Sequence, residues 1–157
     1  MKRYLLLIIL LAGFAGGASY NCSSCEDCNG KIQNASAGDT VYLTANITNQ
    51  SETCIEFNQT DGITFDCQQN KIGGLDNYEY GILMENSNNN VIGNCTIRDF
   101  SFAMLLDNSS NNEIINNSLS YCDLGIKTQH PSHNNTISLN VISHNIADGL
   151  RIVLEYP

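Results

Sequence analysis

A repeat of about 22 residues runs from Tyr80 to Arg151 and limits the folds that this chain can adopt. Its copies open on a small residue followed by an apolar one, at Gly81, Ala103, Gly125 and Gly149. The first two intervals are 22 residues long and the third is 24. Self-similarity at a fixed period in this range is typical of a solenoid, in which each repeat covers the apolar face of the next.

Within each repeat the apolar residues lie two positions apart, as Ile82 and Met84 do in the first copy and Met104 and Leu106 in the second. Two is the side-chain period of a β-strand, whereas a helix would place apolar residues three and four apart. Asn, Ser and Gly stand between the apolar pairs, and these residues favour tight bends. The sequence therefore predicts an all-β solenoid of about five coils, a parallel β-helix whose strands stack roughly 4.8 Å apart.

A leucine-rich repeat is the competing fold, because its period is also roughly 20–29 residues and each of its repeats carries an Asn. In this chain the corresponding apolar positions are mostly Ile, and no half of the repeat is rich in helix-forming residues. The parallel β-helix is therefore the preferred prediction.

Stacked coils bring equivalent positions into columns, so the repeat also predicts which side chains meet. Three columns are predicted to point inward: Ile82-Met104-Ile126-Leu150, Ile92-Ile114-Ile137 and Ile97-Leu119-Ile142. The Asn residues at the bends are predicted to form ladders, in which side-chain amides bond to one another along the column. The ladder positions are Asn90, Asn112 and Asn135, with Asn86 and Asn108 as a second column.

The phrase Asn-x-Ile-x-x-Asn-x-Ile, which occupies residues 135–142 and is followed by Gly149-Leu150, carries a family resemblance. It resembles the right-handed parallel β-helix repeats of NosD-like proteins and of archaeal and bacterial surface proteins with a pectin-lyase-like fold. Residues 36–74 are similar to the N-terminal entry of such proteins, so the resemblance spans roughly residues 36–157. It implies a right-handed coil. It implies no copper role, because no cluster of His or Met residues is visible, and we predict neither a metal nor a cofactor.

The first 18 residues predict a secretory signal peptide. Lys2 and Arg3 precede an unbroken apolar run from Leu5 to Leu11, and a small-residue segment ends at Ala18, where we place the cleavage site. An uncleaved anchor is the alternative. No later segment approaches ~20 apolar residues, so no contact of the mature chain with a lipid bilayer is predicted. The expected location is secreted or at the cell surface.

The rest of the chain divides into a Cys-rich N-terminal cap over residues 19–40 and a β-helix over residues 41–157. We expect a short helix from Cys25 to Ala35 in the cap, because an open solenoid end needs a cover. Residues 41–47 are predicted as one strand and residues 73–80 as a lateral loop. No covering helix or polar coil follows the last repeat, so we expect self-association through the C-terminal edge.

Seven cysteines suit an oxidising exterior, and disulfides are the preferred interpretation. Zinc is the alternative for the first cluster, in which Cys22, Cys25 and Cys28 would join a fourth thiolate such as Cys54. The odd count leaves at least one cysteine free, paired to another chain or otherwise bound. Cys67 and Cys95 follow equivalent strands, so we predict that they pair across neighbouring coils.

The formal net charge of −9 argues against nucleic acid and anionic lipid as partners, and leaves a polysaccharide or cell-surface glycan. Two outward columns are predicted, Leu83-Leu105-Lys127-Arg151 and Glu85-Asp107-Gln129-Val153. Lyases need a base and a cation, and glycosidases need paired carboxylates. Glu85, Asp107, Lys127 and Arg151 are therefore the positions considered for catalysis.

Charged side chains on an exposed strand face are also ordinary solvation, and we assign no catalytic residue. The predicted function is a noncatalytic secreted or cell-surface module, structural or carbohydrate-binding. The alternative is a polysaccharide lyase or glycoside hydrolase on the same fold. Among the Asn-x-Ser/Thr sequences, those at Asn34, Asn46 and Asn49 are the preferred glycosylation sites. The three histidines, His130, His133 and His144, lie in bends and predict no metal site.

Overall fold

The computed structural model describes residues 16–75 and 79–153, so most of the predicted signal peptide lies outside the described residues. Within them the strands form three parallel sheets, named A, B and C. Sheet A consists of β1 (Ser19–Cys22), β2 (Thr40–Leu43), β5 (Thr64–Asp66), β8 (Val91–Gly93), β11 (Glu113–Ile115) and β14 (Thr136–Ser138). Sheet B consists of β3 (Ile47–Gln50), β6 (Lys71–Gly74), β9 (Thr96–Arg98), β12 (Ser118–Ser120) and β15 (Val141–Ser143). Sheet C consists of β4 (Ile55–Asn58), β7 (Tyr80–Glu85), β10 (Phe102–Asp107), β13 (Leu124–Gln129) and β16 (Leu150–Ile152).

From β2 onwards each turn of the chain adds one strand to sheet A, then to B, then to C, whereas the first turn runs from β1 through a helix back to sheet A. Every neighbouring pair of strands runs parallel. The prediction of an all-β parallel β-helix is therefore confirmed. The solenoid has about six turns, one more than expected, because β1 adds a sixth strand to sheet A.

The three inward columns predicted from the repeat are present in the structure. Met104 pairs with Ile82 and Ile126, Ile114 with Ile92 and Ile137, and Leu119 with Ile97 and Ile142. Every member up to Ile126 is buried, whereas Ile137 and Ile142 in the last coil are half-buried. The repeat opens on a small residue because the backbones approach closely there: a Cβ on Gly125 would lie 2.3 Å from the carbonyl oxygen of Gly149.

Helix α1 (Cys25–Asn34) covers the N-terminal end, where a short helix was predicted. It begins at Ser24, whose Oγ accepts a hydrogen bond from the Asp27 N–H, and acidic residues in its first turn complement the helix dipole. Asn29 closes the edge of β4, because its Nδ2 donates to the Cys54 carbonyl at 3.0 Å and its Oδ1 accepts from the Glu56 N–H at 2.9 Å. In the described part of the chain, no helix is long and apolar enough to cross a membrane.

Two predictions about the first coils were wrong in detail. Residues 41–47 are not one strand, because the chain turns from sheet A into sheet B between Leu43 and Ile47. The side chain of Asn46 supports this bend by accepting the Lys71 N–H at 2.8 Å. The lateral loop is shorter than predicted, because Gly73 and Gly74 belong to β6; residues 76–78 of the loop lie outside the described residues.

Disulfides join six of the seven cysteines. Cys22 bonds to Cys28 and Cys25 to Cys54, which fastens α1 to β4. Cys67 pairs with Cys95 on the neighbouring coil at a Cα–Cα distance of 4.8 Å, as predicted from their equivalent positions. Because all four cysteines of the alternative zinc site are in disulfides, that site is not formed. Cys122 is a buried free thiol, and burial raises its pKa to about 11.

The ladder Asn90-Asn112-Asn135 is present, but its amides bond to the backbone rather than to one another. Asn112 Oδ1 accepts the Asn90 N–H at 2.9 Å, and Asn112 Nδ2 donates to the Ser87 carbonyl at 2.9 Å. This geometry arises because the bend leaves backbone groups that no strand partner can satisfy. Asn108 and Asn86 do bond amide to amide, at 2.7 Å.

A further ladder, which the sequence reasoning missed, lies at the corner between sheets A and B. Asn117 Oδ1 accepts the Cys95 N–H at 2.9 Å, and Asn140 Oδ1 accepts the Asn117 N–H at 2.8 Å. Both Nδ2 groups donate to the carbonyl of the central residue of a sheet A strand in the preceding coil, Ile92 for Asn117 and Ile114 for Asn140. The signal was available in the sequence, because Asn117 and Asn140 recur at the repeat period.

Asp39 fastens the start of the first coil. Its carboxylate accepts the Ala18 N–H at 2.6 Å and the Ser36 N–H at 2.8 Å. These backbone bonds, with Ser36 the larger contributor, lower the pKa of the Asp39 carboxyl because they favour its charged form. Ala18, the last residue of the predicted signal peptide, is thus bonded into the fold.

Candidate functional site

The outer face of sheet C brings together the side chains that were considered for catalysis. Leu83 pairs with Leu105, which pairs with Lys127 and then Arg151, so the first outward column has the predicted register. Glu85, Asp107 and Gln129 form the second outward column. We define the sheet C face as the outward side chains of β7, β10 and β13: Tyr80, Leu83, Glu85, Phe102, Leu105, Asp107, Lys127 and Gln129.

One half of the sheet C face is apolar and aromatic. The rings of Tyr80 and Phe102 lie with centroids 5.3 Å apart, and Lys127 Nζ lies 5.6 Å from the Phe102 ring centroid. Leu105 is only 4% exposed although it lies outside the central core cluster. The expectation of ordinary solvation along this column was therefore wrong at Leu105, because neighbouring side chains on the same face cover it.

The other half of the face is polar and is organised by Asp107. Its carboxylate accepts a hydrogen bond from Gln129 Nε2 at 3.0 Å and contacts His130 Nδ1. Glu85 lies on the adjacent strand directly beside Asp107 and is exposed. Two carboxylates and an amide thus lie at the C-terminal ends of these strands, whereas the rings of Tyr80 and Phe102 lie at the N-terminal ends.

The two cations of the catalytic hypothesis are turned away from these carboxylates. Lys127 reaches over Phe102, on the apolar half of the face. Arg151 pairs with Asp148, with an Nη2–Oδ2 distance of 2.6 Å. The structure therefore brings Glu85 and Asp107 together on neighbouring strands but does not bring Lys127 or Arg151 to them, which a base and cation acting on one substrate atom would require.

The histidines lie at separate places. His130 contacts Asp107, whereas the His144 ring stacks on Tyr121 with centroids 5.2 Å apart. The guanidinium carbon of Arg98 lies over the Tyr121 ring, 4.9 Å from its centroid. Within residues 16–75 and 79–153, no three His, Cys, Asp or Glu side chains are close enough to hold a metal ion.

The three preferred glycosylation positions are all exposed. Asn34 Nδ2, the atom that a glycan would occupy, donates to the Gly30 carbonyl at 2.7 Å inside α1. Asn46 uses its Oδ1 to accept the Lys71 N–H, and the residue is exposed. Asn46 and the exposed Asn49 therefore fit an acceptor role better than Asn34.

Comparison with known proteins places this geometry in a family. Residues 31–155 match the model described as the right-handed β-helix region. The chain belongs to this right-handed β-helix family. The match covers most of the solenoid and confirms the handedness that the repeat resemblance implied.

The crystal structure of an alginate lyase from Paenibacillus sp. str. FPU-7 is similar to this β-helix, with a TM-score of 0.52 and 17% sequence identity. The similarity covers 87% of this chain and 58% of that enzyme, so this chain spans less than two thirds of the enzyme's length. At this identity the likeness shows the fold alone. No curated protein matches the sequence.

Proposed function

We propose that the protein is a noncatalytic secreted or cell-surface β-helix module that binds carbohydrate through the sheet C face. The observation that carries this proposal is the Tyr80–Phe102 ring pair, which lies on the same strands as Glu85 and Asp107 but at their opposite, N-terminal ends. A sugar ring has an apolar C–H face that packs on an aromatic ring, and hydroxyls that bond to carboxylates and amides. The sheet C face offers both kinds of contact about 16 Å apart along the strands, so one oligosaccharide would have to extend along the strands to use both.

The charge of the molecule favours a neutral glycan over a polymer of sugar acids. The chain carries a net charge of −9, and the polar half of the sheet C face holds Glu85 and Asp107. The nearest cation on the face, Lys127, lies against Phe102. A polyanionic chain would therefore meet like charge, which opposes its binding.

A polysaccharide lyase or glycoside hydrolase is the second candidate. It is favoured by the adjacent Glu85 and Asp107 and by the similarity in fold to a lyase. It is opposed by the positions of Lys127 and Arg151, since neither cation reaches the carboxylates. The three disulfides support the extracytoplasmic location that both candidates share, because such bonds persist in oxidising surroundings.

One set of variants distinguishes carbohydrate binding from polysaccharide cleavage. Isothermal titration with neutral oligosaccharides should show binding that Phe102→Ala weakens about tenfold, since a buried aromatic contact contributes on the order of 1–2 kcal/mol. Tyr121→Ala removes an aromatic ring that is 52% exposed on another side of the molecule and should leave affinity unchanged. Polysaccharide cleavage that Asp107→Asn abolishes would replace the binding role with the enzymatic one.

Association of two copies through the last coil belongs to the same proposal. Ile146 and Ile152 are 83% and 58% exposed there. Apart from three histidines, residues 130–153 carry one acidic and one basic side chain, Asp148 and Arg151, which pair with each other. Two such ends therefore meet without the repulsion expected elsewhere on an acidic chain. Because α1 covers the opposite end, the copies would form a closed dimer rather than a filament.

Light scattering at tens of micromolar measures this association. The parent chain should have the mass of a dimer, and Ile146→Lys should give a monomer because it places a charge in the contact. Leu75→Lys changes a leucine that is 53% exposed near the other end of the solenoid and should remain dimeric. A monomeric parent would exclude the contact.

A further inference from the structure

A hollow of about 380 Å³ lies at the corner between sheets A and B, on a different side of the solenoid from the sheet C face. Its wall is a column of corner residues and its floor is the outer row of sheet B. The residues that matter here are Gln69, Asn94, Asn116 and Leu139 in the wall and Thr96 and Ser118 in the floor. We call it the corner hollow. Its volume falls in the range of small-ligand sites, roughly 300–1,000 Å³.

The corner hollow is neutral although the protein is acidic. The described residues that line it include amides, hydroxyls and aliphatic side chains but no Asp, Glu, Lys or Arg. Thr96 and Ser118 are paired on adjacent strands, so their hydroxyls follow one another along the floor, and Val141 occupies the next strand. A neutral ligand with several hydroxyl groups fits such a lining better than a charged one.

Leu139 breaks the pattern of the wall. All four wall residues have a left-handed backbone, with φ of 65° at Gln69, 58° at Asn94, 56° at Asn116 and 56° at Leu139. Asn tolerates this conformation, whereas a bulky apolar residue is strained in it. Leu139 is also 77% exposed, so burial in the core does not explain its presence. A strained and exposed residue of this kind points to a functional constraint.

The amide bonds of the wall stop where Leu139 begins. Asn116 Nδ2 donates to Asn94 Oδ1 at 2.6 Å, and Asn94 Nδ2 donates to Asp66 Oδ1 at 2.9 Å. An Asn at position 139 would continue this series by donating to Asn116 Oδ1. In its place, among the residues that the structure describes, no donor bonds to Asn116 Oδ1, which remains available at the polar edge of the hollow beside the exposed methyl groups of Leu139 and Val141.

We propose that the corner hollow binds a neutral sugar residue, independently of the sheet C face. The C–H face of the sugar packs on Leu139 and Val141, and its hydroxyls bond to Asn116 Oδ1 and to the hydroxyls of Thr96 and Ser118. Only the chemical class of the ligand rests on the proposed carbohydrate-binding function; the hollow, its neutrality and the strained leucine are separate observations. A module with sugar sites on two sides can hold two glycan chains at once.

Leu139→Asn tests the proposal because stability and binding should change in opposite directions. Asn relieves the left-handed strain and continues the amide series, so the unfolding midpoint should rise. The same change removes the apolar contact and occupies Asn116 Oδ1, so affinity at the hollow should fall at least tenfold. Leu75→Asn is the matched control, because this leucine is 53% exposed outside the hollow and should alter neither sugar contact.

The measurement is methyl NMR of the full chain during titration with a neutral glucose hexasaccharide, and separately with an oligouronate of equal length. The Val141 methyl signals should shift saturably with the neutral sugar, should still shift in Phe102→Ala, and should stop shifting in Leu139→Asn. Unchanged Val141 shifts in Leu139→Asn, a lower unfolding midpoint for that variant, or tighter binding of the oligouronate would each overturn the proposal.

The two proposed sites fail in distinguishable ways. If binding survives Leu139→Asn and is lost in Phe102→Ala, the corner hollow is overturned and the sheet C face stands. In a second outcome, the Val141 methyl signals shift with the neutral sugar in both the parent chain and Phe102→Ala, and Phe102→Ala leaves the total affinity unchanged. This outcome supports the corner hollow and overturns the sheet C face. If neither saccharide shifts Val141 in the parent chain, the hollow is overturned.

Discussion

The first and the last described coils of the solenoid differ in how far their inward side chains are covered. At the N-terminal end, α1 lies over β4, Asn29 bonds to the strand edge, and Ile32 and Ile55 are fully buried. In the last described coil, the equivalent inward positions are open, and Leu150 and Ile152 are 44% and 58% exposed. In this coil β16 pairs with β13 in the same register as the earlier strands of sheet C.

The difference shows that burial in a solenoid depends on the neighbouring coil rather than on the residue itself. Ile114 and Ile137 occupy the same column and have the same side chain, yet Ile114 is fully buried and Ile137 is half-buried. Because each coil contacts only its neighbours, stability is close to a sum of coil and interface contributions. A substitution in one column should therefore change the free energy of unfolding by an amount that depends on how far the neighbouring coils cover that position.

The largest expected effect on the free energy of unfolding is that of a substitution at Ile114. Ile114→Asp should abolish cooperative unfolding, because an unpaired carboxylate in an apolar stack costs more than about 4 kcal/mol. Ile137→Asp makes the same chemical change one coil later and should cost clearly less, since its side chain already reaches water. Urea unfolding followed by circular dichroism measures both, and equal losses would show that burial is not graded along the column.

The second largest effect on the free energy of unfolding is expected from removal of the Cys25–Cys54 disulfide, which joins α1 to β4. Replacing Cys25 and Cys54 together by Ser should cost about 3–4 kcal/mol, the loop-closure value for the 29 residues that this bond spans. Hydrogen exchange should accelerate in α1 and β4 and stay slow in β13. Cys122→Ser, which removes no disulfide, is the matched control. Equal acceleration in β13 would mean that the two regions unfold as one unit.

Substitutions in the Asn ladders should show the same difference between a buried coil and the last described coil, with smaller changes in the free energy of unfolding. Asn112→Ala should cost about 1–3 kcal/mol, because Asn112 is 1% exposed and its loss leaves the Asn90 N–H and the Ser87 carbonyl without partners. Asn140→Ala breaks the corresponding bonds in the more exposed last coil and should cost about half as much. The test is to measure the free energies of unfolding of the two variants. An equal cost would show that water does not replace the lost hydrogen bonds in the last described coil.

The smallest effect is that of pH on Cys122. Burial raises the pKa of this thiol to about 11 from an ordinary value of 9.0, so the folded state favours the neutral form. The resulting stability is fully present below about pH 9 and is lost as pH rises towards 11. Iodoacetamide should label Cys122 slowly at pH 9 in the folded chain and rapidly in denaturant. Fast labelling of the folded chain would show that this coil opens readily.

The parts of the fold that follow from register were accessible from the sequence. Once the 22-residue period was aligned, the partners of Ile114, Leu119 and Asp107 followed directly, because stacking leaves equivalent positions no other neighbour. The Cys67–Cys95 bond followed for the same reason. The pairing of Cys22, Cys25, Cys28 and Cys54 did not, because it depends on how α1 turns over β4.

Features that depend on lateral neighbours were not accessible. Leu105 occupies an outward position by strand alternation, yet it is covered by neighbours on its own face. The amide of Asn29 acts as a strand partner for β4, although nothing in a helical segment indicates that role. In the candidate sites, the sequence placed Glu85 and Asp107 side by side but did not place Lys127 over Phe102, since side-chain direction depends on local packing.

The closed N-terminal end also has a consequence for how the molecule assembles. A ribosome delivers this end first, so α1 and β4, joined by the Cys25–Cys54 bond, can complete an edge before the later coils exist. Each later coil can then pair with the exposed strand edges of the preceding coil, whose N–H and C=O groups are already at the spacing of a parallel sheet. Each coil that docks in this way provides the edge on which the next coil can form.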